Sequence, residues 1–386
     1  MAAHLATFSF PTAIIFGPGA AAELPARLRQ MGSRRALVVT DKAMAKTLAF
    51  DLLSHHLGRA NLGKTWELFD GVHSNPMEQD VVDAALTFRE TKSDTVIAFG
   101  GGSALDVGKA LRLMIKKPTL KLKEFNFNDD WSGLPRCIAI PTTAGSGSEV
   151  GRSVTITLAG TNKRAALSLP RLLAKLVILD PDLTRDLPPP LTAATGFDAF
   201  THCVESFTSL NYNPMCDGIA LEGARLISEA LPRVMFQGHD IQARGKMLMA
   251  AAMGGVAFEK DLGATHSLAN PLSTLAGVHH GAATAICLPL VMHFNAQRKP
   301  GLYRRVGLAC GLDLASAPDE VADFRTIEFV KKFIADTGLK NSLHHFGVKE
   351  AQLDALADQA FDDACHLTNP VPVNRDELKD LYRAAL

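Results

Sequence analysis

The sequence lacks a net charge. Its 386 residues include 40 Lys and Arg residues against 40 Asp and Glu residues. Proteins that bind nucleic acid usually carry a basic excess or a basic stripe, and the densest basic stretch here, residues 116–123, fits a solvated turn. We therefore expect no nucleic-acid partner.

We also expect neither a membrane span nor a secretory leader. No run approaches the ~20 residues that a membrane span needs. The N-terminal stretch lacks the basic region of a signal peptide and is predicted to form an opening strand. The six cysteines contain no CxxC pair, which argues against a cysteine zinc site. We expect buried free thiols in a reducing cytoplasm and no membrane partner.

The two halves of the chain carry different patterns. In the first half, short apolar runs alternate with helical stretches, which is typical of a mainly parallel sheet covered on both faces. These runs lie at residues 35–40, 95–100, 136–141 and 175–180. Residues 153–158 resemble a hairpin strand. Prolines interrupt regular structure near residues 180–190, and only helical patterns follow. We predict an α/β Rossmann-like domain over residues 1–184 and an all-helical domain over residues 185–386.

Two turns of the first half are suited to bind phosphate. GGGSALD, at residues 100–106, follows a strand and opens a helix, so its glycines let backbone N–H groups approach a pyrophosphate. PTTAGSGSE, at residues 141–149, follows the next strand and can form an anion-binding nest. Its hydroxyl side chains are Thr142, Thr143, Ser146 and Ser148. A tight structural turn explains either motif by itself, but two on adjacent strands favour a dinucleotide.

Two further segments permit opposing interpretations. Asp41 ends a strand, where a carboxylate can accept hydrogen bonds from an adenosine ribose and would repel a 2′-phosphate, which favours NAD over NADP. The same carboxylate can instead cap a helix. GPGAAA, at residues 17–22, matches a GxGxxA pattern, but Pro18 removes a backbone donor, so we interpret the segment as a structural turn.

A possible metal site lies in the helical half. Asp198 and His202 are four residues apart in a helical stretch and so share one face. By itself such a pair is usually a surface or capping pair, but His266 and the His279–His280 pair add a second cluster. One carboxylate with three imidazoles suits Fe(II) or Zn(II), whereas Mg and Ca prefer oxygen ligands.

Together these motifs resemble those of the iron-containing (group III) alcohol dehydrogenases, which have a dehydroquinate synthase-like fold. GGGSALDVGKA and PTTAGSGSEV are similar to the family's nucleotide motifs, and SNPM at residues 74–77 to its PNPT turn. GFDAFTHCVE and ATHSLAN…HHGAATAICLP are similar to its metal motifs. The resemblance runs from about Phe16 to the last helices. It implies an N-terminal NAD(P) domain, a helical C-terminal domain and a metal in the cleft between them.

The resemblance also implies roles for individual residues. The implied metal ligands are Asp198, His202, His266 and His280, with His279 as a neighbour. The implied cofactor contacts are Asp41, Asn75, Gly101, Gly102, Ser103, Asp106, Thr142, Thr143, Ser146, Ser148 and Lys163. Where the family commonly has a second histidine, four residues after the ligand His266, this chain has Asn270. Since asparagine does not titrate, any proton relay at this catalytic position must use water, a ribose hydroxyl of the cofactor or another group.

The function implied is an NAD(H)-dependent alcohol dehydrogenase or aldehyde reductase. Hydride would pass between the nicotinamide and a small primary alcohol, hydroxy acid or aldehyde held by Fe2+, with Zn2+ as the other candidate metal. A homodimer or larger homo-oligomer is also implied. The alternatives are a glycerol dehydrogenase-like or dehydroquinate synthase-like enzyme, a non-catalytic nucleotide-binding protein, and a metal-dependent hydrolase without NAD.

Overall fold

The computed structural model describes residues 12–58, 66–161 and 163–386. Residues 1–11, where the predicted opening strand begins, lie outside this part. The described residues up to Leu187 form one compact unit with His239–Leu248, here called the α/β unit. Pro188–Gly238 and Met249–Leu386 form a second compact unit, here called the helical unit.

A six-stranded parallel sheet forms the centre of the α/β unit, which confirms the predicted sheet type. Its strands in chain order are β1 (Ala13–Phe16), β2 (Ala36–Val39), β3 (Trp66–Phe69), β4 (Thr95–Gly100), β5 (Arg136–Pro141) and β8 (Leu176–Leu179). Their order across the sheet is β1-β8-β5-β4-β2-β3. Every residue of β2, β4 and β8 is buried, which explains their continuous apolar sequences. The edge strand β3 was not predicted, because its residues are partly or fully exposed and form no such run.

The other elements of this unit are helices and a pair of antiparallel strands. The helices are α1 (Leu24–Gln30), α2 (Leu48–Gly58), α3 (Glu78–Glu90) and α4 (Gly102–Lys116). The predicted hairpin strand is β6 (Ser153–Thr157), which pairs antiparallel with β7 (Arg164–Ser168). Helix α4 packs tightly on the sheet, since a Cβ added at Gly108 would lie 2.5 Å from the Cβ of Ala98. This packing puts the first turn of α4 directly at the carboxyl end of β4.

The chain after β8 is helical throughout its described part, as predicted. Its helices are α5 (Pro189–Thr208), α6 (Pro214–Phe236), α7 (Ile241–Ala257), α8 (Ala264–Leu275), α9 (His280–Arg298), α10 (Arg304–Ala309), α11 (Asp319–Asp336), α12 (Leu353–Asp362) and α13 (Arg375–Ala385). The prolines that we expected to interrupt regular structure in fact begin a helix. Pro189 is the first residue of α5, where proline's fixed φ is favourable and its missing N–H costs nothing.

The core of the helical unit holds α8 and α9 against α12 and α13. Leu268, Ile286, Leu356 and Leu381 belong to one buried apolar cluster contributed by these four helices. The hydroxyl of Tyr382 donates a hydrogen bond to the carbonyl oxygen of Leu268 at 2.7 Å, which ties α13 to α8. No helix among the described residues has the length and apolar character needed to cross a membrane.

Candidate metal centre and nucleotide site

Helix α5 carries three polar side chains on one buried face. Asp198, His202 and Glu205 are four and three residues apart, so the period of the helix aligns them. Their exposed fractions are 6%, 5% and 5%. Polar groups this deeply buried need partners, and the polar groups nearest to them lie on α8 and α9.

These helices bring the four predicted metal ligands together. One ligand atom each from Asp198, His202 and His266 lies within 4.8 Å of the other two. The Nε2 atom of His280 is 3.6 Å from Oδ1 of Asp198, and Nε2 of His266 is 3.9 Å from the same oxygen. The predicted residues, which come from α5, α8 and α9, therefore converge on one point.

A glycine makes the approach of α9 to α5 possible. Gly281 follows the ligand His280, and a Cβ there would lie 2.1 Å from the carbonyl oxygen of Ala194. Ala194 is one turn before Asp198 on α5. The contact of these two backbones thus brings the first residue of α9 within reach of the Asp198 carboxylate.

The pattern of hydrogen bonds fits a bound cation. Oδ1 of Asp198, Nδ1 of His202 and Nε2 of His266 are buried and have no hydrogen-bond partner among the described residues. A buried polar atom left unsatisfied costs about 1–3 kcal/mol, so a converging group of such atoms is expensive unless a ligand binds it. A carboxylate with imidazoles is the donor set of Fe(II) or Zn(II) sites, and the residues present fit such an ion.

Burial and neighbouring groups shift the pKa values of three side chains at this centre. Burial disfavours the Asp198 carboxylate, but its electrostatic interactions with the nearby imidazoles of His202, His280 and His266 outweigh burial, so its pKa lies below the ordinary value. Burial lowers the pKa of His202 to about 4, which keeps this imidazole neutral at pH 7. For His266, burial opposes the charged form, but the hydrogen bond and charge of Glu205 raise the pKa overall.

Glu205 is a residue of this centre that the sequence analysis missed. Its Oε2 lies 2.5 Å from Nδ1 of His266, and its Oε1 accepts a hydrogen bond from the backbone N–H of Thr265 at 2.7 Å. The signal was available, because Glu205 continues the helical spacing of Asp198 and His202. Glutamate is common on helices, so its spacing alone does not indicate a role; the contact with His266 on α8 does.

Asn270 lies one turn after His266 on α8. Its Nδ2 donates a hydrogen bond to Oδ2 of Asp363 at 2.8 Å. The other oxygen of Asp363 accepts hydrogen bonds from the hydroxyl of Ser267 at 3.0 Å and from the backbone N–H of Cys365 at 2.8 Å. Asp363, which sequence analysis also missed, therefore orients the amide of Asn270.

The two predicted phosphate turns are neighbours in the sheet. Strands β4 and β5 are parallel and adjacent, with Gly100 paired to Pro141, so both turns lie at the carboxyl edge. Strand β2 is followed by β3, its neighbour toward one edge of the sheet, whereas β4 is followed by β5, its neighbour toward the opposite edge. Nucleotides bind at such a change of direction in open α/β sheets.

The two phosphate turns contact each other at a glycine, and the backbone N–H groups at the start of α4 are not capped by a side chain among the described residues. A Cβ at Gly102 would lie 2.7 Å from Oγ of Ser146. Gly100 has a φ of 140°, a conformation that favours glycine. No side chain of a described residue caps the N-terminus of α4, and the buried hydroxyl of Thr142 has no partner among the described residues. An uncapped helix N-terminus of this kind can bind a phosphate.

Several predicted cofactor contacts bond to the protein itself. The carboxylate of Asp106 accepts hydrogen bonds from the hydroxyl of Ser148 and, at 2.9 Å, from the backbone N–H of Thr155. Ser103 donates to the carbonyl oxygen of Ser74 at 2.7 Å, which ties α4 to the loop that carries Asn75. These side chains therefore connect the turns to their surroundings.

The remaining predicted positions are also located. Oδ1 of Asp41 accepts hydrogen bonds from the backbone N–H groups of Ala43 and Met44, each at 2.9 Å, in a local turn before the short 3-10 helix Met44–Lys46, whose N-cap residue is Ala43. Thr143 lies in the second turn, and Lys163 lies in the connection between β6 and β7.

The GPGAAA segment is a structural turn, as interpreted from its sequence. The backbone N–H groups of Gly19 and Ala21 donate to the carboxylate of Asp180 at 3.0 and 2.9 Å. Two donors that a phosphate would need are thus already used by a side chain of the protein.

Lys109 is a second buried polar residue that the sequence analysis missed. It is fully buried on α4, and its Nζ donates to the carbonyl oxygens of Ser148, Gly151 and Ser153 at 2.7, 3.2 and 2.6 Å. Burial lowers its pKa, although nearby Asp106, at 3.5 Å, acts in the opposite direction. Lys109 fixes the end of the second turn to the helix that starts at the first.

Known proteins are similar to this chain in sequence and in fold. Residues 11–181 match the family model described as iron-containing alcohol dehydrogenase, and residues 192–386 match the one described as Fe-containing alcohol dehydrogenase family, C-terminal. A 4-hydroxybutyrate dehydrogenase of Cupriavidus necator is 36% identical over 372 residues, which cover 91% of this chain and 92% of that protein.

Solved structures agree with these matches. A crystal structure of 1,3-propanediol oxidoreductase has a TM-score of 0.94 and 32% identity, with 99% of this chain and 100% of that chain covered. Sulfoacetaldehyde reductase from Bifidobacterium kashiwanohense, in complex with NAD+, has a TM-score of 0.86 and 27% identity, with 99% of each chain covered. The chain thus belongs to the iron-containing alcohol dehydrogenase family and is an alcohol oxidoreductase.

Proposed function

We propose that this protein transfers a hydride between NAD(H) and a small primary alcohol, hydroxy acid or aldehyde. In this proposal residues 1–184 bind the nucleotide and residues 185–386 bind a divalent metal. One observation carries the proposal. Buried atoms of Asp198, His202 and His266 lie close together and have no hydrogen-bond partner among the described residues. A chain that buried such groups for stability alone would pair them.

The proposed cofactor is NAD(H), held by the two turns at the carboxyl edge of the sheet. The N-cap residue of α4 is Gly101, with no side-chain cap among the described residues, and such a helix start is suited to the pyrophosphate. The carboxylate of Asp41 would repel a 2′-phosphate, which favours NAD over NADP. Support also comes from the sulfoacetaldehyde reductase relative, which was solved with NAD+. The proposed contacts are Asp41, Asn75, Gly101, Gly102, Ser103, Asp106, Thr142, Thr143, Ser146, Ser148 and Lys163.

Two of these contacts, Asp106 and Ser148, are proposed to act by shaping the site. Because Asp106 accepts hydrogen bonds from Ser148 and from Thr155 in the middle of β6, these two residues hold the second turn in the conformation that presents its backbone. Lys109 acts with them from the same helix. The part of the cofactor site that touches the nucleotide is therefore proposed to be mainly backbone and hydroxyl.

The proposed metal is Fe2+, with Zn2+ accepted by the same ligands, and it is held by Asp198, His202, His266 and His280. Such an ion, when bound, polarises the oxygen of an alcohol or aldehyde as a Lewis acid. Asp198 supplies the single carboxylate of the ligand set. The neutral imidazole of His202 can offer a lone pair at pH 7, since its pKa is lowered to about 4 by burial.

Asn270 is proposed to line the catalytic centre without carrying a proton. Its amide is turned by the hydrogen bond to Asp363, and an amide side chain does not titrate. The proton that leaves an alcohol must then reach solvent through water or a ribose hydroxyl. We further propose a cytoplasmic homodimer or larger homo-oligomer. The six cysteines, all among the described residues, form no disulfide there, which fits a reducing compartment.

A substrate panel tests the proposal. The full-length protein, loaded with Fe2+ or Zn2+, is assayed by NADH absorbance with 1,3-propanediol, 4-hydroxybutyrate and small aldehydes, and NADPH replaces NADH in a parallel series. We expect turnover with NADH that depends on the metal and is weaker with NADPH. Turnover that persists without metal, or failure to bind NADH, would contradict the proposal.

A further inference from the structure

We infer that Glu205 is a positioning residue, which fixes the tautomer and the ring orientation of His266 so that Nε2 is presented to a metal. The inference rests on the proposed metal centre, but it concerns a residue outside the ligand set. Glu205 lies on α5, where it follows His202 by one turn, and its side chain is buried against the first turn of α8.

The contacts of the carboxylate determine the state of the ring. A carboxylate can only accept hydrogen bonds, so the 2.5 Å contact of Glu205 with Nδ1 of His266 requires a proton on that nitrogen. In the neutral ring the lone pair is then on Nε2. This is the atom that is buried without a partner among the described residues and lies 3.9 Å from Oδ1 of Asp198. Glu205 therefore selects the form of His266 that can bind a cation.

The surroundings of Glu205 hold its carboxylate in place. Its second oxygen accepts the backbone N–H of Thr265 at 2.7 Å, at the N-terminus of α8, where negative charge is favourable. Gly263 provides the necessary space, because a Cβ there would lie 2.8 Å from Oε1 of Glu205 and 2.9 Å from Oδ1 of Asn369. Asn369 in turn accepts the N–H of Ala264 at 3.2 Å. Both the position and the orientation of the carboxylate are thus fixed.

A purely structural role is the competing explanation. Glu205 satisfies a free N–H at the start of α8, and a residue that did only this would affect the stability of the helical unit. It would leave the metal affinity of the folded protein unchanged. Metal affinity and thermal stability therefore distinguish the two roles.

Glu205→Gln is the decisive variant. In the wild type, Thr265 and His266 donate to different oxygens of Glu205, and glutamine replaces one of these two oxygens by an NH2 donor, so it cannot accept at both positions. If the oxygen keeps Thr265, the NH2 faces Nδ1 of His266 and favours the tautomer with its proton on Nε2. We expect the affinity for Zn2+, measured by competition with a chelator on the full-length protein, to fall by about 10–100-fold.

Two further variants make the test independent of folding. Gly263→Ala should displace the same carboxylate and weaken Zn2+ binding in the same direction, and it decides the question if Glu205→Gln does not fold. Tyr382→Phe is the matched control, since it removes a buried 2.7 Å hydrogen bond to Leu268 on α8 without touching a ligand. It should lower the melting temperature and keep the Zn2+ affinity of the wild type.

The outcomes separate this inference from the proposed function. Wild-type Zn2+ affinity in Glu205→Gln and Gly263→Ala, with weakened binding in His266→Ala, would overturn the role of Glu205 and leave the metal centre intact. Wild-type affinity in His266→Ala as well would overturn the metal centre itself. An equal loss in Tyr382→Phe and Glu205→Gln would show that affinity follows stability, and would also overturn the inference.

Discussion

The two units build their candidate sites from different atoms. In the α/β unit, the groups available to a ligand are backbone N–H groups and hydroxyls, placed by glycines that tolerate close approach. In the helical unit, they are side-chain atoms of buried carboxylate and imidazole groups. Near the phosphate turns, Asp106, Ser148 and Ser103 bond to the protein, whereas at the metal centre one atom each of Asp198, His202 and His266 has no partner among the described residues. A zero net charge is compatible with anion binding, because the turns need few cationic side chains.

The largest expected effect comes from removing a ligand of the metal centre. His266→Ala deletes one imidazole of the set, and since loss of an outer partner alone costs 10–100-fold in metal affinity or activity, we expect turnover to fall by more than about 100-fold. NADH binding, measured by fluorescence titration, should remain near that of the wild type because no turn of the α/β unit is altered. A matching loss of NADH affinity would contradict the proposal that the α/β unit binds NADH independently of the metal ligands.

The next largest effect is predicted for Lys109→Met. This change leaves three carbonyl oxygens without their donor and Asp106 without its cation, and breaking a buried pair costs about 3–5 kcal/mol. We expect denaturant unfolding to show a loss of this size together with weaker NADH binding. The control is Lys116→Met on the same helix, whose exposed pair with Asp130 is worth about 0–1 kcal/mol. Similar losses in both variants would mean that Lys109 contributes no more than a surface charge.

A smaller effect is expected for Gly102→Ala, which tests the turns without changing any polar group. The added Cβ would lie 2.7 Å from Oγ and 3.1 Å from Cβ of Ser146, so the Ser146 side chain must turn away and its Cβ must shift by a few tenths of an ångström. If one to two hydrogen bonds to the nucleotide are lost, at about 1 kcal/mol each, the KM for NADH should rise roughly 5–30-fold while Zn2+ affinity is kept. Gly218→Ala on α6, where nothing lies within 4 Å of the new Cβ, should change neither value.

The smallest predicted effect is on the proton path. Asn270→His introduces a titratable ring beside Asp363, so the pH–rate profile of alcohol oxidation should gain an ionisation near the ordinary histidine pKa of about 6.5. Zn2+ affinity should not change, because the position is outside the proposed ligand set. A pH–rate profile identical to that of the wild type would contradict a role for this position in proton transfer.

Sequence patterns predicted those parts of the molecule that depend on local spacing. The strand at Thr95–Gly100 was predicted to the residue, since a wholly buried strand shows as a continuous apolar run. The proposed ligands were inferred because Asp198 and His202 share a helical face and because His266 and the His279–His280 pair add a second cluster. The partly exposed strand Trp66–Phe69 has no such run and was missed.

Roles that depend on long-range contacts were not predictable in this way. Glu205 and Lys109 gain their meaning from partners about 60 and 40 residues away in sequence, and a single glutamate or lysine on a helix is usually a surface residue. Asp106 was assigned to the cofactor from its motif, but its partners are Ser148 and Thr155. Sequence spacing identified which segments form the sites, and the packing of distant segments determined what each side chain does.

The most direct test of the central claim removes the metal and restores it. The full-length protein is treated with a chelator, assayed for NADH-dependent aldehyde reduction, and assayed again after reloading with Fe2+ or Zn2+, while NADH binding is followed by fluorescence. The account predicts that the stripped protein binds NADH, does not turn over, and regains activity on reloading. Full activity in the stripped protein, with its metal loss verified by elemental analysis, would contradict it.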